Sequence, residues 1–158
     1  YVTLTNLTKK DKERISKLHL GPIYVSVHTT NPELRAKMLR NKNASNILKE
    51  LDFLKENDIP FHAQIVLCPD YNDAEELKRS LNDLWKYKSV LGSIAIVPVG
   101  ITKFRKEKIK QVSKEKAIET IKIVEEFNKK IKRNYKITNI QKKSSSICLK
   151  AYAFFKMA

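Results

Sequence analysis

Ser26 and His28 stand two residues apart in "IYVSVHTTNPELRAKMLRNK", the stretch that begins at Ile23. Successive side chains of a strand alternate between its faces, so the hydroxyl and the imidazole share one side while Ile23, Val25 and Val27 share the other. The same split recurs in "FHAQIVLC", where His62 and Gln64 oppose Phe61, Ala63, Ile65 and Leu67, and in "YVTLT", where Tyr1, Thr3 and Thr5 oppose Val2 and Leu4. A strand buried on both faces normally reads as a continuous apolar run. Each buried polar group without a partner costs roughly 1–3 kcal/mol, so these groups must bond one another, bond water or line a ligand cavity. Arg35, about one helical turn beyond His28, can reach back over the strand end and hold a carboxylate or phosphate in a bidentate fork. Asn72 and Asp73, after Cys68, are also good turn and cap residues. The two cysteines, Cys68 and Cys148, form no C-x-x-C pair, which argues against a disulfide framework, a zinc site or a complete iron–sulfur motif. No metal-ligand set is therefore expected in the chain.

These residues need strands and helices to position them, and the first hundred residues alternate the two patterns. "YVTLT", "PIYVSV", "PFHAQIVLC" and "SIAIVPV" read as strands. Thr8 with Asp11 three residues on approximates a capping box, and Asn31 followed by Pro32 marks a second helix start. Ile47, Leu48, Leu51 and Leu54 follow helical spacing, and "EELKRSLNDLW" supplies a further helix. Pro22, Pro60 and Gly92 recur at the length of a βαβ unit, which predicts parallel strands with right-handed crossovers. A barrel, whole or partial, and a doubly wound sheet both satisfy that alternation. In either, ligands collect at the carboxyl ends of the strands, where Ser26, His28, Cys68 and Pro98 lie. Ser113 can cap a later helix with Ile118, Ile121, Val124, Phe127 and Ile131 as its apolar stripe. Beyond Asn134 no period is clear.

The chain of 158 residues has the length of one domain, is 42% hydrophobic and carries a net charge of +15. Residues 103–158 hold +12 of that charge. No run of apolar residues is long enough for a membrane span, and with no signal peptide and cysteines suited to a reducing compartment a cytoplasmic protein is expected. Tyr1 already belongs to a strand-like run, which predicts a piece of a larger protein.

Taken in order, "YVTLTNL", "YVSVHTTNPELRAKMLRNKNA", "QIVLCPDYND" and "VPVGITKFR" resemble the central part of the radical S-adenosylmethionine proteins that carry an N-terminal PDZ-like domain and an uncharacterised C-terminal domain. The likeness runs from Tyr1 to Arg105. It implies an incomplete (β/α) barrel in which a [4Fe–4S] cluster and S-adenosylmethionine meet inside the strand ends, with the three cluster cysteines preceding Tyr1. It further implies that Ser26 and His28 contact the ribose and amino-acid end of the cofactor, that Arg35 pairs with its carboxylate, and that Val97 lies near the adenine. Asn72 matches an element resembling C-P-G-x-N-D-G, which reads "CPDYNDA" here with Asp70 and Ala74 in place of glycines. Gln64 joins the set through its place on the polar face.

The expected architecture is thus α/β: a parallel-strand partial (β/α) barrel fragment of about four strands with covering helices over 1–105, a basic amphipathic helix over 106–134, and a tail over 135–158. The expected function is to supply part of the S-adenosylmethionine pocket of a radical enzyme, without catalysis by this chain alone. One-electron reduction of the sulfonium needs a thiolate-ligated cluster. The expected partner is the rest of the parent polypeptide, with its cluster-binding and PDZ-like parts. The alternative is a basic nucleic-acid-binding module, in which lysines of "KFRKEKIKQVSKEK" and "NKKIKRNYK" neutralise phosphates, although no reading motif accompanies them. A phosphate- or sugar-binding barrel fragment is a third reading, lowered by the want of a Gly-rich loop.

Overall fold

The helix starts follow from their capping residues. Thr8 Oγ1 accepts from Asp11 N at 3.2 Å while the Asp11 carboxylate accepts from Thr8 N at 2.9 Å, closing a capping box on α1 (Lys9–Leu18). Asn31 Oδ1 accepts from Leu34 N at 3.2 Å at the start of α2 (Pro32–Leu39), where Pro32 gives up an N–H that the first turn does not use. The computed structural model describes residues 1–100, 109–137 and 148–151, with side chains as far as Lys132.

After α2 a 3-10 turn (Lys42–Asn46) leads into α3 (Ile47–Glu56). The remaining elements are β1 (Ile23–Ser26), β2 (Phe61–Leu67), α4 (Ala74–Trp85), β3 (Leu91–Pro98), α5 (Lys114–Ile137) and β4 (Cys148–Ala151). The four strands form one parallel sheet in the order β1-β2-β3-β4. Val2 adds a single bridge to Val25 on the outer side of β1, donating to Tyr24 O at 2.7 Å and accepting from Ser26 N at 2.8 Å. The expected "YVTLT" strand is reduced to that bridge because the chain turns out of the sheet at Leu4, which has a φ of 55°.

Consecutive order decides between the two parallel architectures. A doubly wound sheet reverses its strand order to place helices on both faces, whereas right-handed crossovers between neighbours all fall on one face. Burial agrees: Val25, Val27, Ala63, Ile65, Leu67, Ile94 and Ile96 are sealed against the helices. The other face, with Tyr24, His62, Gln64, Val66, Ser93, Ala95 and Val97, is partly open. The fold is a partial (β/α) barrel whose helical layer contributes Ile47, Leu51 and Leu54 from α3, Leu77, Leu81 and Leu84 from α4, and Ile123, Val124, Phe127 and Ile131 from α5.

The C-terminal third differs in detail from the sequence pattern. α5 begins at Lys114, where Ser113 Oγ accepts from Lys116 N at 3.3 Å. Its inward stripe runs through Ala117, Thr120, Val124, Phe127 and Ile131, and Ile118 is 46% exposed. Spacings of three and four residues from Phe127 back to Ala117 keep one face inward, and Ile118 falls off it. Residues 106–108 of the expected helix, 101–105 of "VPVGITKFR", and 138–147 and 152–158 of the tail lie outside the described residues.

The loop after β2 keeps a shape that glycine would favour. Asp70 has φ 66° and Ala74 φ 44°, the two positions where the resemblance leads one to expect glycine. Asp visits this region more readily than most residues, and the Asp73 carboxylate holds the turn by accepting from Asp70 N at 3.1 Å. Ala74 has no such relief. Replacing Ala74 with glycine is expected to stabilise the fold by about 1 kcal/mol, read as a higher urea midpoint at unchanged slope.

Candidate active site at the carboxyl ends of the strands

The inner face is organised in rows set by the strand register. Tyr24, His62 and Ser93 form the row nearest the amino ends, Ser26, Gln64 and Ala95 the next, and Val66 with Val97 the last. In the first row His62 stacks on Tyr24 with centroids 4.8 Å apart, Tyr1 meets Tyr24 edge-on at 5.4 Å, and His62 Nδ1 lies 2.7 Å from Ser93 Oγ. Gly92 makes the stack possible: it sits where the register shifts between Phe61 and His62, and a Cβ there would come within 2.6 Å of His62 Cε1. His62 is therefore partnered at the end of the sheet away from the carboxyl ends of the strands.

At the other end the strands splay, and side chains take over from the ladder. Val27 N and His28 N both donate to Gln64 O, at 2.9 and 3.2 Å, and then β1 turns away with His28 at φ 62°. The next groups of β2 that face β1 belong to Val66. Its N–H donates to His28 Nδ1 at 3.2 Å, and its C=O accepts from Asn72 Nδ2 at 2.9 Å. Asn72 Nδ2 also donates to His28 O at 2.8 Å, and Oδ1 accepts from Cys68 N at 2.7 Å. A chain leaving a sheet strands its neighbour's backbone groups, and the imidazole and the carboxamide satisfy them.

Arg35 does the same on the other side of β1. Its Nε donates to Val27 O at 2.8 Å, one terminal nitrogen to Ala44 O at 2.7 Å, and the other to Thr3 O and Ser26 O, both at 2.8 Å. The side chain is 1% exposed. Burial alone would draw its pKa down to about 10, but four carbonyl dipoles favour the cation, and the guanidinium stays charged at neutral pH.

The six residues expected to hold a cofactor thus divide. Ser26, Gln64 and Val97 occupy the inner face, and His28 stands at its rim. Arg35 and Asn72 are placed otherwise: four N–H donors of Arg35 and both N–H donors of Asn72 are spent on backbone carbonyls, so neither is free to grip a carboxylate. They hold the rim in shape. Burial, with the positive charge of Arg35 adding to it, lowers the His28 pKa to about 4, so the ring is neutral at pH 7.

A second set at this rim escapes sequence reasoning. Thr29 and Thr30 are fully buried. Thr29 Oγ1 donates to Glu76 Oε1 at 2.6 Å, Thr30 Oγ1 to Asp83 Oδ2 at 2.8 Å, and Thr30 N to Ser80 Oγ at 3.1 Å. The signal is a polar stripe at 76, 80 and 83 along α4, facing a Thr-Thr pair between a strand and a helix cap. This bonding fastens the loop after β1 to the helix after β2. Across the next loop, Asp70 pairs with Lys110 at 2.6 Å and Asp73 with Lys116 at 2.8 Å, which ties the approach to α5 onto the rim.

Among the described residues no group of three His, Cys, Asp or Glu could hold a metal ion. The whole sequence has two cysteines, so three thiolates for a [4Fe–4S] cluster cannot come from this chain. The inner face offers a hydroxyl, a carboxamide and a neutral imidazole beside valine and alanine, an uncharged donor and acceptor set for a ligand with polar groups and an apolar part. Surface hollows between α4 and α5, lined by Leu81, Ile123 and Phe127, and beside Phe53 and Asn57 of the α1–α3 side share no residue with it. No described helix is long and apolar enough to cross a membrane.

No curated protein matches the chain. A family model described as Radical SAM-like domain matches residues 1–94, which takes in β1, β2, the rim between them and the first half of β3. Since that match covers more than half of the sequence and coincides with the parallel units that build the inner face, the chain belongs to the radical SAM-like family.

Proposed function

We propose that the inner face forms one wall of the S-adenosylmethionine pocket of a radical S-adenosylmethionine enzyme. The observation that carries this is the row Ser26–Gln64 beside His28 at the carboxyl ends of parallel strands, within the part that matches the family. Ser26 and Gln64 would bond the ribose and amino-acid end, and Ala95 and Val97 would pack beside the adenine. When bound, S-adenosylmethionine supplies a sulfonium that is cleaved reductively. The chain's own residues bind and orient it and keep its surroundings neutral.

The cluster that drives such cleavage would be held elsewhere in the parent polypeptide, and PDZ-like and further C-terminal parts would accompany it there. Four glutamates, Glu115, Glu119, Glu125 and Glu126, interleave with the lysines of α5, and Lys116 is engaged by Asp73 and Glu119. That division of charge weighs against a nucleic-acid-binding module. The test is a titration of the ¹⁵N-labelled chain with S-adenosylmethionine. Saturable shifts of the Gln64 side-chain amide, weakened in Ser26→Val, are expected. Unchanged spectra up to millimolar ligand would overturn the reading.

A further inference from the structure

We infer that His28 presents its ligand with one fixed N–H donor, at Nε2, and that Asn72 is the positioning residue that fixes it. This deepens the pocket reading, on which it rests only for the identity of the ligand.

The tautomer follows from Val66. A backbone amide nitrogen can only donate, so the 3.2 Å contact from Val66 N makes Nδ1 the acceptor and leaves the ring proton on Nε2. Nε2 makes no hydrogen bond to any described residue. Ring and donor are held by one carboxamide: Asn72 Nδ2 bonds both His28 O and Val66 O, at 2.8 and 2.9 Å, while Oδ1 anchors the carboxamide on Cys68 N. Asn72 is 1% exposed, so solvent does not compete for these bonds. The left-handed backbone of His28, unfavourable for a residue with a Cβ, is held from both sides by Asn72 and by Gln64 O.

Protonation would set a second N–H at Nδ1 against the Val66 N–H and a positive ring beside Arg35. Arg35 on α2 is the charged group that acts on the ring, while Val66 on β2 and Asn72 on the following loop present neutral groups. Imidazoles commonly exchange tautomers and take up protons near neutrality, but this one does neither. Its ligand must therefore offer an acceptor at this point: a hydroxyl or carboxylate oxygen, or an unprotonated ring nitrogen. An ammonium finds no partner there.

Long-range ¹H–¹⁵N spectra of the ligand-free, histidine-labelled chain test this, with His28 assigned among three histidines by comparison with His28→Gln. The expected result is an unprotonated Nδ1 and a protonated Nε2, unchanged from pH 8 to pH 5. In Asn72→Ser the two tautomers are expected to average and the ring to titrate closer to the ordinary value near 6.5. An Nδ1–H tautomer or titration near 6.5 in the unsubstituted chain would overturn the donor assignment. A folded Asn72→Ser chain with unchanged His28 signals would overturn the positioning role. Should that variant not fold, exchange of the Val66 amide decides: protection like that of its β2 neighbours supports the arrangement, and rapid exchange overturns it. All these spectra are taken without ligand, so a failed S-adenosylmethionine titration leaves them standing, and a titrating His28 leaves the pocket reading standing.

Discussion

Arg35→Met is expected to cost about 4–6 kcal/mol of folding stability, a large share of the roughly 5–15 kcal/mol that a domain holds. Methionine replaces the buried aliphatic stem but none of the donors, so the carbonyls of Thr3, Ser26, Val27 and Ala44 lose their partner together. Each stranded carbonyl costs roughly 1–3 kcal/mol, less where water can enter the gap. Arg35→Lys keeps the charge but reaches fewer of the four from its single nitrogen, so less than half of the loss should be recovered. Urea unfolding measures both. A loss below 1 kcal/mol in Arg35→Met would mean that the guanidinium is free to hold a ligand after all.

Acidification from pH 6.5 to pH 4 is expected to remove up to about 3 kcal/mol of stability through His28. The folded ring has its pKa lowered to about 4, and the unfolded ring titrates near 6.5. Between those values the unfolded chain binds a proton that the folded chain refuses, so stability rises with pH across the window and is lost on the way down. Carboxylates contribute to the same fall. His28→Gln isolates the ring, because a glutamine oxygen can still accept from Val66 N–H but takes up no proton. The difference between the two pH–stability curves should lie between pH 4 and 6.5, and parallel curves would exclude the depressed pKa.

Local chemistry was legible in the sequence wherever it acts through near neighbours. Thr8 with Asp11, Asn31 with Pro32, and Ser113 cap the helices from which they were read, since a cap bonds within its own first turn. Alternation sorted the two faces of β1 and β2 for a similar reason. The roles of Arg35 and Asn72 were not legible. An arginine one turn after a strand looks the same whether it clamps a ligand or mends the backbone. What decides is whether the strands part beside it, and that depends on Thr3, Ala44 and Val66, which belong to other segments. The buried bonds of Thr29 and Thr30 were hidden likewise, since their partners lie 47 to 53 residues on.

The unbroken strand order has a consequence in time as well as in space. Each strand lies beside the one completed just before it, with its covering helix made in between, so no segment must wait for a distant one before it can pair. As the chain leaves the ribosome, Phe61–Leu67 can dock on a waiting Ile23–Ser26, and Leu91–Pro98 on Phe61–Leu67. Assembly can then proceed by accretion from one margin, and a pause in translation between units would leave a shorter sheet rather than a tangled one.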